Sequence, residues 1–203
     1  GAALAVLPCT SQGALRTYAE IDVYPGLSQW WGRSNQLWEE NRRSDGLTLL
    51  ERVDYQRTLT AQFPIPELRV VYNRSGMHIC AAKVRDRRAV IANGLYWSAC
   101  RDPAEADYLC GILNAAITTE LTRPLMSYGK DERDIHRHVW ELPIPRFDSS
   151  SQTHQRIVQL ASEIAAECSA LELDPTVHFP IVRRLVRDHI ARLPQGEELN
   201  NIV

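Results

Sequence analysis

Two stretches of this chain carry side chains that could act on something outside it. The first runs from Arg69 to Val90, where Arg69, Arg74, Lys83, Arg85, Arg87 and Arg88 stand against the single acid Asp86. The second is a polar segment from Ser127 to His138, in which Asp131, Glu132 and Asp134 offset Lys130, Arg133 and Arg137. Clustered guanidinium and ammonium groups neutralise phosphates, while Arg, Asn and Gln reach base edges in a major groove. Gly129 lets the backbone come close to a phosphate. The near-neutral balance of the second stretch suits base reading better than indiscriminate phosphate binding. The candidate DNA-contacting residues are Asn73, Arg74, Lys83, Arg85, Arg87 and Arg88 from one stretch, and Ser127, Tyr128, Lys130, Arg133, His136, Arg137 and His138 from the other. Two solvated turns would have the same composition, and charge alone does not separate the readings.

Other chemistries find less support. A nuclease centre needs clustered acids with a lysine; Lys83 and Asp86 are near each other, but no second acid falls on an adjoining strand signal. His136 and His138 would share one side of a strand, with His154 downstream, yet no cysteine or carboxylate stands at the spacing of a known zinc finger. DNA contact or local hydrogen bonding is the better reading of those histidines, and no metal is expected. No Ser-His-Asp or Cys-His arrangement can be placed. The five cysteines are scattered, with no Cys-x-x-Cys pair, and fit a reducing cytoplasm.

The elements that would position these residues are legible from period and punctuation. Asp102, Pro103 and Glu105 read as a capping box with proline at the first helical position. Leu109, Ile112, Leu113, Ala116, Ile117 and Leu121 then recur at helical spacing until Pro124. Upstream, Arg69 to Ala99 reads as an antiparallel meander. Its strands are Arg69–Asn73, His78–Val84, Ala89–Ile91 and the return Leu95–Ser98, with Asn93-Gly94 as the hairpin signal. In the second strand Ile79, Ala81 and Lys83 share one face. Arg16–Tyr24 reads as a weak strand and Leu49–Phe63 as a helix. Trp30, Trp31 and Trp38 fall in a helical segment, where core packing is a better reading than base stacking. Trp140 reads as core. After Phe147, Thr153–Leu171 carries an apolar helical stripe, Asp174-Pro175 starts a last helix, and Gln195–Val203 reads as a frayed end.

The expected fold class is α+β: an antiparallel or mixed sheet packed on helices, followed by a helical pair. Residues 1–148 are expected to form one domain and 149–203 a helical arm, or a hairpin covering the sheet. The chain has 203 residues, 44% hydrophobic and 24% charged, with a net charge of −2, ordinary for a globular protein. The charge is unevenly spread, since the part from Ser150 onward holds five arginines against seven acids. No apolar run is long enough to cross a bilayer. The chain does not begin with Met and is expected to be a fragment.

The order of the pieces resembles a known family. Glu105, Ala106, Tyr108, Leu109, Ile112, Leu113 and Asn114, then Arg133-Asp134-Ile135-His136, then Leu142-Pro143-Ile144-Pro145 with Phe147 and Asp148, look like the target recognition domain of restriction–modification enzymes. The likeness is to the carboxy-terminal DNA-reading part of type IIG-like adenine-N6 DNA methyltransferases, and to type I specificity subunits. It extends upstream to about Trp38, through Val53-Asp54-Tyr55, Arg69 to Gly76 and Leu95-Tyr96-Trp97. What the resemblance implies is sequence-specific recognition of double-stranded DNA by a module that is non-catalytic on its own. The S-adenosylmethionine cofactor would belong to an N-terminal methyltransferase domain, the expected partner within the parent enzyme. In keeping with that, this chain has neither a Pro-Pro dipeptide nor a Gly-x-Gly turn. The resemblance makes Tyr108, Leu109, Ile112, Leu113, Asn114, Pro143 and Pro145 scaffold rather than contact residues. A reading from another class stays open: a protein-interaction module that docks a subunit through the tryptophan-rich segment and the helical arm.

Overall fold

Two capping boxes start the amino-terminal helices. In each, a threonine hydroxyl accepts the N3 amide and the N3 glutamate accepts the threonine's own amide: Thr17 with Glu20, and Thr48 with Glu51. The computed structural model describes residues 4–43, 46–128, 133–135, 137–174 and 176–203, with backbone only for Ser127, Tyr128 and Arg133. Gly129, Lys130, Asp131, Glu132, His136 and Pro175 lie outside the described residues. The chain divides into two compact units, Gly1–Pro66 and Glu67–Val203, so the 148/149 boundary expected above falls inside the second.

The first unit holds α1 (Tyr18–Asp22), α2 (Pro25–Asn41) and α3 (Leu49–Val53), packed around Ile21, Trp31 and Leu50. Where a strand was expected over Arg16–Tyr24, the chain forms the helix Tyr18–Asp22, because the Thr17–Glu20 box outweighs a weak alternation. The long helix expected over Leu49–Phe63 stops at Val53. The Asp54 carboxylate accepts from the amides of Leu59 and Thr60 and from the Thr60 hydroxyl, drawing the backbone into tight turns instead of a helical ladder. Gln56 and Arg57 take positive φ in consequence. Of the three tryptophans, Trp31 is core, the Trp38 indole donates to the Leu47 carbonyl, and Trp30 is half exposed.

The second unit is α+β. Its sheet has β1 (Arg69–Asn73) in the centre, flanked by antiparallel β2 (Ala81–Val84) and β3 (Leu95–Ala99). The register pairs Val70 with Lys83 on one side and Val71 with Trp97 on the other. The expected meander is corrected: with β1 central the strand order is not that of a meander, and the strand after Asn93-Gly94 returns to β1 instead of closing a hairpin on 89–91. The second strand is shorter, starting at Ala81, and Ala89–Ile91 is not a strand. The Arg69 guanidinium takes the carbonyls of Asp86 (3.1 Å) and Ala89 (2.8 Å), so this connection bonds to a side chain rather than to a strand edge.

The organising element is α4 (Pro103–Asn114), buried on two sides. Ala106, Cys110 and Leu113 face the sheet, packing with Val70, Tyr72, Ile79, Ile135 and Val139. Tyr108 and Ile112 face the opposite way, onto α6 (Gln152–Ser169) and α8 (Pro194–Ile202), meeting Ile157, Leu160, Ile164 and Leu199. Gly111 makes this crossing close: a Cβ there would lie 2.8 Å from Ile157 Cγ2. Asp102 caps the first turn as expected, but Glu105 reaches back to the Arg101 amide rather than closing a box on Asp102. The helix breaks at Ala115, where Asn200 accepts from the Ala116 amide and starts α5 (Ala116–Thr122). At the sheet edge, the Asn114 carboxamide bonds both the N–H and the C=O of Ala81, covering part of the open side of β2.

A short hairpin, β4 (Ser127–Tyr128) with β5 (Arg133–Asp134), and then the Leu142–Phe147 phrase complete the body. The phrase is fixed by Tyr108, whose hydroxyl donates to the Pro145 carbonyl at 3.0 Å. His154 Nδ1 accepts from the Asp148 amide, which leaves its Nε2 proton to face the Tyr108 oxygen at 3.4 Å. The helix after Asp174 is α7 (Phe179–Ile190), and none of its residues is buried. The frayed end expected over Gln195–Val203 is instead helical, within α8: Leu199 is buried, and Glu198 receives both Nε and Nη2 of Arg156 at 2.6 Å. Among the described residues no helix is long and apolar enough to cross a membrane.

Candidate nucleic-acid interface

The basic stretch from Arg69 to Val90 does not present all its cations. Arg69 is fully buried under the 86–89 connection it holds. Lys83 turns inward and pairs with Asp107 on α4, where both side chains are largely buried. Arg88 is exposed but forks onto Asp86, with Nε at 3.1 Å from Oδ1 and Nη2 at 3.2 Å from Oδ2. Arg85 and Arg87 stand exposed on the same connection, and Arg74 is half-buried in the turn after β1.

Asn73 is a builder of that turn. Its Oδ1 accepts from the Cys80 amide at 2.8 Å, and its Nδ2 donates to the carbonyls of Ser75 (2.8 Å) and His78 (3.0 Å). With those bonds made, its carboxamide has no edge left for the paired recognition of an adenine. Gly76, at φ +136°, passes close by: a Cβ would sit 3.1 Å from Asn73 Nδ2. The turn is tied to the hairpin by a Ser75–Asp134 bridge and by the Ile135 amide donating to the Arg74 carbonyl.

In the second polar stretch, Ser127 and Tyr128 pair with Asp134 and Arg133 in the β4–β5 hairpin. Arg137 is exposed. His138 Nδ1 lies 2.8 Å from Glu141 Oε1 within a 3-10 turn. Trp140 is corrected from core to rim: its Nε1 donates to Tyr72 Oη at 2.9 Å, yet the residue is 44% exposed.

The strongest positive feature is one the sequence reading missed. His78, in the Asn73 turn, lies in the field of Arg187 and Arg183 of α7 and of Arg123, just after α5. Burial first, then these three guanidinium groups, hold its imidazole below the usual histidine range. Arg183 reaches Cys80 Sγ at 3.9 Å, so α7 lies against the turn. The Arg123 Nε is buried with no hydrogen-bond acceptor among the described residues. Arg183 against the turn and a buried Arg123 Nε without an acceptor are the features here that suit an anion. One signal was available. Arg183, Arg184, Arg187 and Arg192 cluster within ten positions, but their charge disappears into the net-acidic sum over the carboxy-terminal part.

Among the described residues no group of three or more His, Cys, Asp or Glu could hold a metal ion, and the five cysteines are unpaired thiols. No family model, curated protein or solved structure matches the chain.

Proposed function

We propose that the chain is a double-stranded DNA recognition module of a restriction–modification DNA methyltransferase, non-catalytic by itself and acting from the cytoplasm. The observation that supports this most is Arg183 of α7 reaching the Asn73–Cys80 turn at Cys80 Sγ, with Arg123 and Arg187 adding positive field there, in a chain of net charge −2. Arg74 lies in the same turn, whereas Arg85 and Arg87 leave the opposite end of β2 and Arg137 follows the β4–β5 hairpin, so these are further candidate contacts. In this reading the arginine cluster engages phosphates and fixes register, while exposed residues of the 74–88 and 127–138 segments meet base edges. The target adenine and S-adenosylmethionine belong to a separate catalytic domain.

Fluorescence anisotropy with random-sequence duplex across a salt series tests the reading. Affinity is expected to fall steeply with salt, and Arg183→Ala combined with Arg187→Ala should reduce the slope of log K on log salt by about 2. Binding that ignores salt, or ignores these substitutions, would overturn it.

A pH effect accompanies it. Phosphate beside His78 would offset the three arginines and favour imidazolium, so binding takes up a proton. Duplex affinity should rise as pH falls from about 7.5 to about 5.5, and His78→Ala should flatten that rise. In the free protein the sign is opposite. A depressed folded pKa means the unfolded chain binds the proton more readily, so stability declines as pH drops below the ordinary 6.5.

A second reading, docking of a protein subunit, is favoured by α7 itself. Phe179, Ile181 and Leu185 point outward there, with Arg183 over the Phe179 ring at 5.7 Å. Partner binding through these exposed apolar residues would survive high salt, which separates the two.

A further inference from the structure

Where the Leu142–Phe147 phrase crosses α4 it leaves an open cleft of about 470 Å³. Leu109, Leu142 and Ile144 make its apolar floor, and Trp140 and Phe147 its aromatic walls. Both rings are held in place. The Trp140 indole is bonded to Tyr72 and stands edge-on to it, with centroids 5.9 Å apart and planes at 77°. Tyr72 in turn stacks on Tyr96, and Phe147 leans on Tyr108 at 5.4 Å. Trp140 nevertheless keeps nearly half its surface open, so a fixed indole with its donor already satisfied faces solvent. The rim carries Arg101, Glu105 and Arg146. Arg101 is matched by Glu105, with Nη2 2.9 Å from Oε1, which leaves the exposed Arg146 as the rim's net positive charge.

We infer that this cleft binds one nucleotide unit, an unpaired base against Trp140 with its phosphate at Arg146. A volume of this size falls in the range of small-ligand sites. A rigid aromatic wall beside one cation is the arrangement that holds single bases without reading sequence, since every base offers a π-face. The cleft shares no residue with the cluster around His78 and stands apart from the duplex reading. The nucleotide can come from two sources, a free mononucleotide or an unpaired stretch of nucleic acid.

The test is a titration of the full chain followed by ¹H–¹⁵N spectra, with the Trp140 indole signal assigned through Trp140→Phe. One arm uses thymidine monophosphate, the other an oligothymidylate of about eight nucleotides. The Trp140 signal should move and saturate, at an affinity on the order of 1 mM for the mononucleotide. Arg146→Ala, on an exposed residue, should weaken binding roughly three- to tenfold with the amide spectrum otherwise kept. Saturation by the mononucleotide alone identifies a free nucleotide as the ligand, and much tighter binding of the oligomer identifies an unpaired strand. A Trp140 signal unmoved by either ligand, or moved equally in Arg146→Ala, overturns the inference.

Discussion

A chain ending at Ser150 is expected not to fold its second unit. The reason lies on the outer side of α4. Ile157, Leu160 and Ile164 of α6 and Leu199 of α8 are buried against Tyr108 and Ile112. Burying a leucine or isoleucine is worth about 1.5–3 kcal/mol, so these four contribute roughly 6–12 kcal/mol. That is the size of a typical domain's whole net stability, about 5–15 kcal/mol. Removal would also strip the close Gly111 crossing, take away the Arg156–Glu198 fork entire, and leave the Ala116 amide without Asn200 and the Tyr108 hydroxyl without His154. Urea unfolding followed by circular dichroism checks this on residues 1–150 against the full chain. The shorter chain should lose the cooperative transition of the sheet unit. A transition of nearly full-length stability would instead make 149–203 a detachable arm.

That outcome bears on what the sequence could reveal. The apolar stripe of α6 was plain from its period, but a stripe says only that a face is buried, not what covers it. Gly111 held the missing information. A glycine in mid-helix costs about 1 kcal/mol and needs a packing reason, here the approach of Ile157. The α4 helix itself was legible because a cap, a proline and an apolar period agreed. The lost elements were those where signals competed. Thr17 and Glu20 carried a capping box under a weak alternation, and Asp54 diverted the end of a periodic helix. Ala89–Ile91 had strand-like residues whose carbonyl partner turned out to be Arg69, a side chain that no local pattern places. Of the candidate site, the turn after β1 and the Arg85–Arg88 connection were found by charge. Arg123, Arg183 and Arg187 were not, because they come together only in space. The inward direction of Lys83 was available: strand alternation set it on one face with Ile79 and Ala81, and both belong to the sheet's packed side.

Lys83 therefore gives the other large effect. Lys83→Met should lower the unfolding free energy of the second unit by about 3–5 kcal/mol, because it leaves the Asp107 carboxylate buried without its partner. The methionine fills the space of the lysine stem, so lost packing explains little of that cost. Adding Asp107→Leu should recover most of it, since apolar replacement of a whole buried pair is often neutral or stabilising. Denaturant midpoints of the wild type, the two single variants and the double variant complete the cycle. The double variant also decides whether Lys83 contacts DNA. If its only partner is Asp107, duplex affinity and the salt slope stay at wild-type values. If Lys83 meets a phosphate, the slope falls by about 1 even though the fold is restored. A cost below about 1 kcal/mol for Lys83→Met would place the pair among screened surface bridges and return Lys83 to the contact surface.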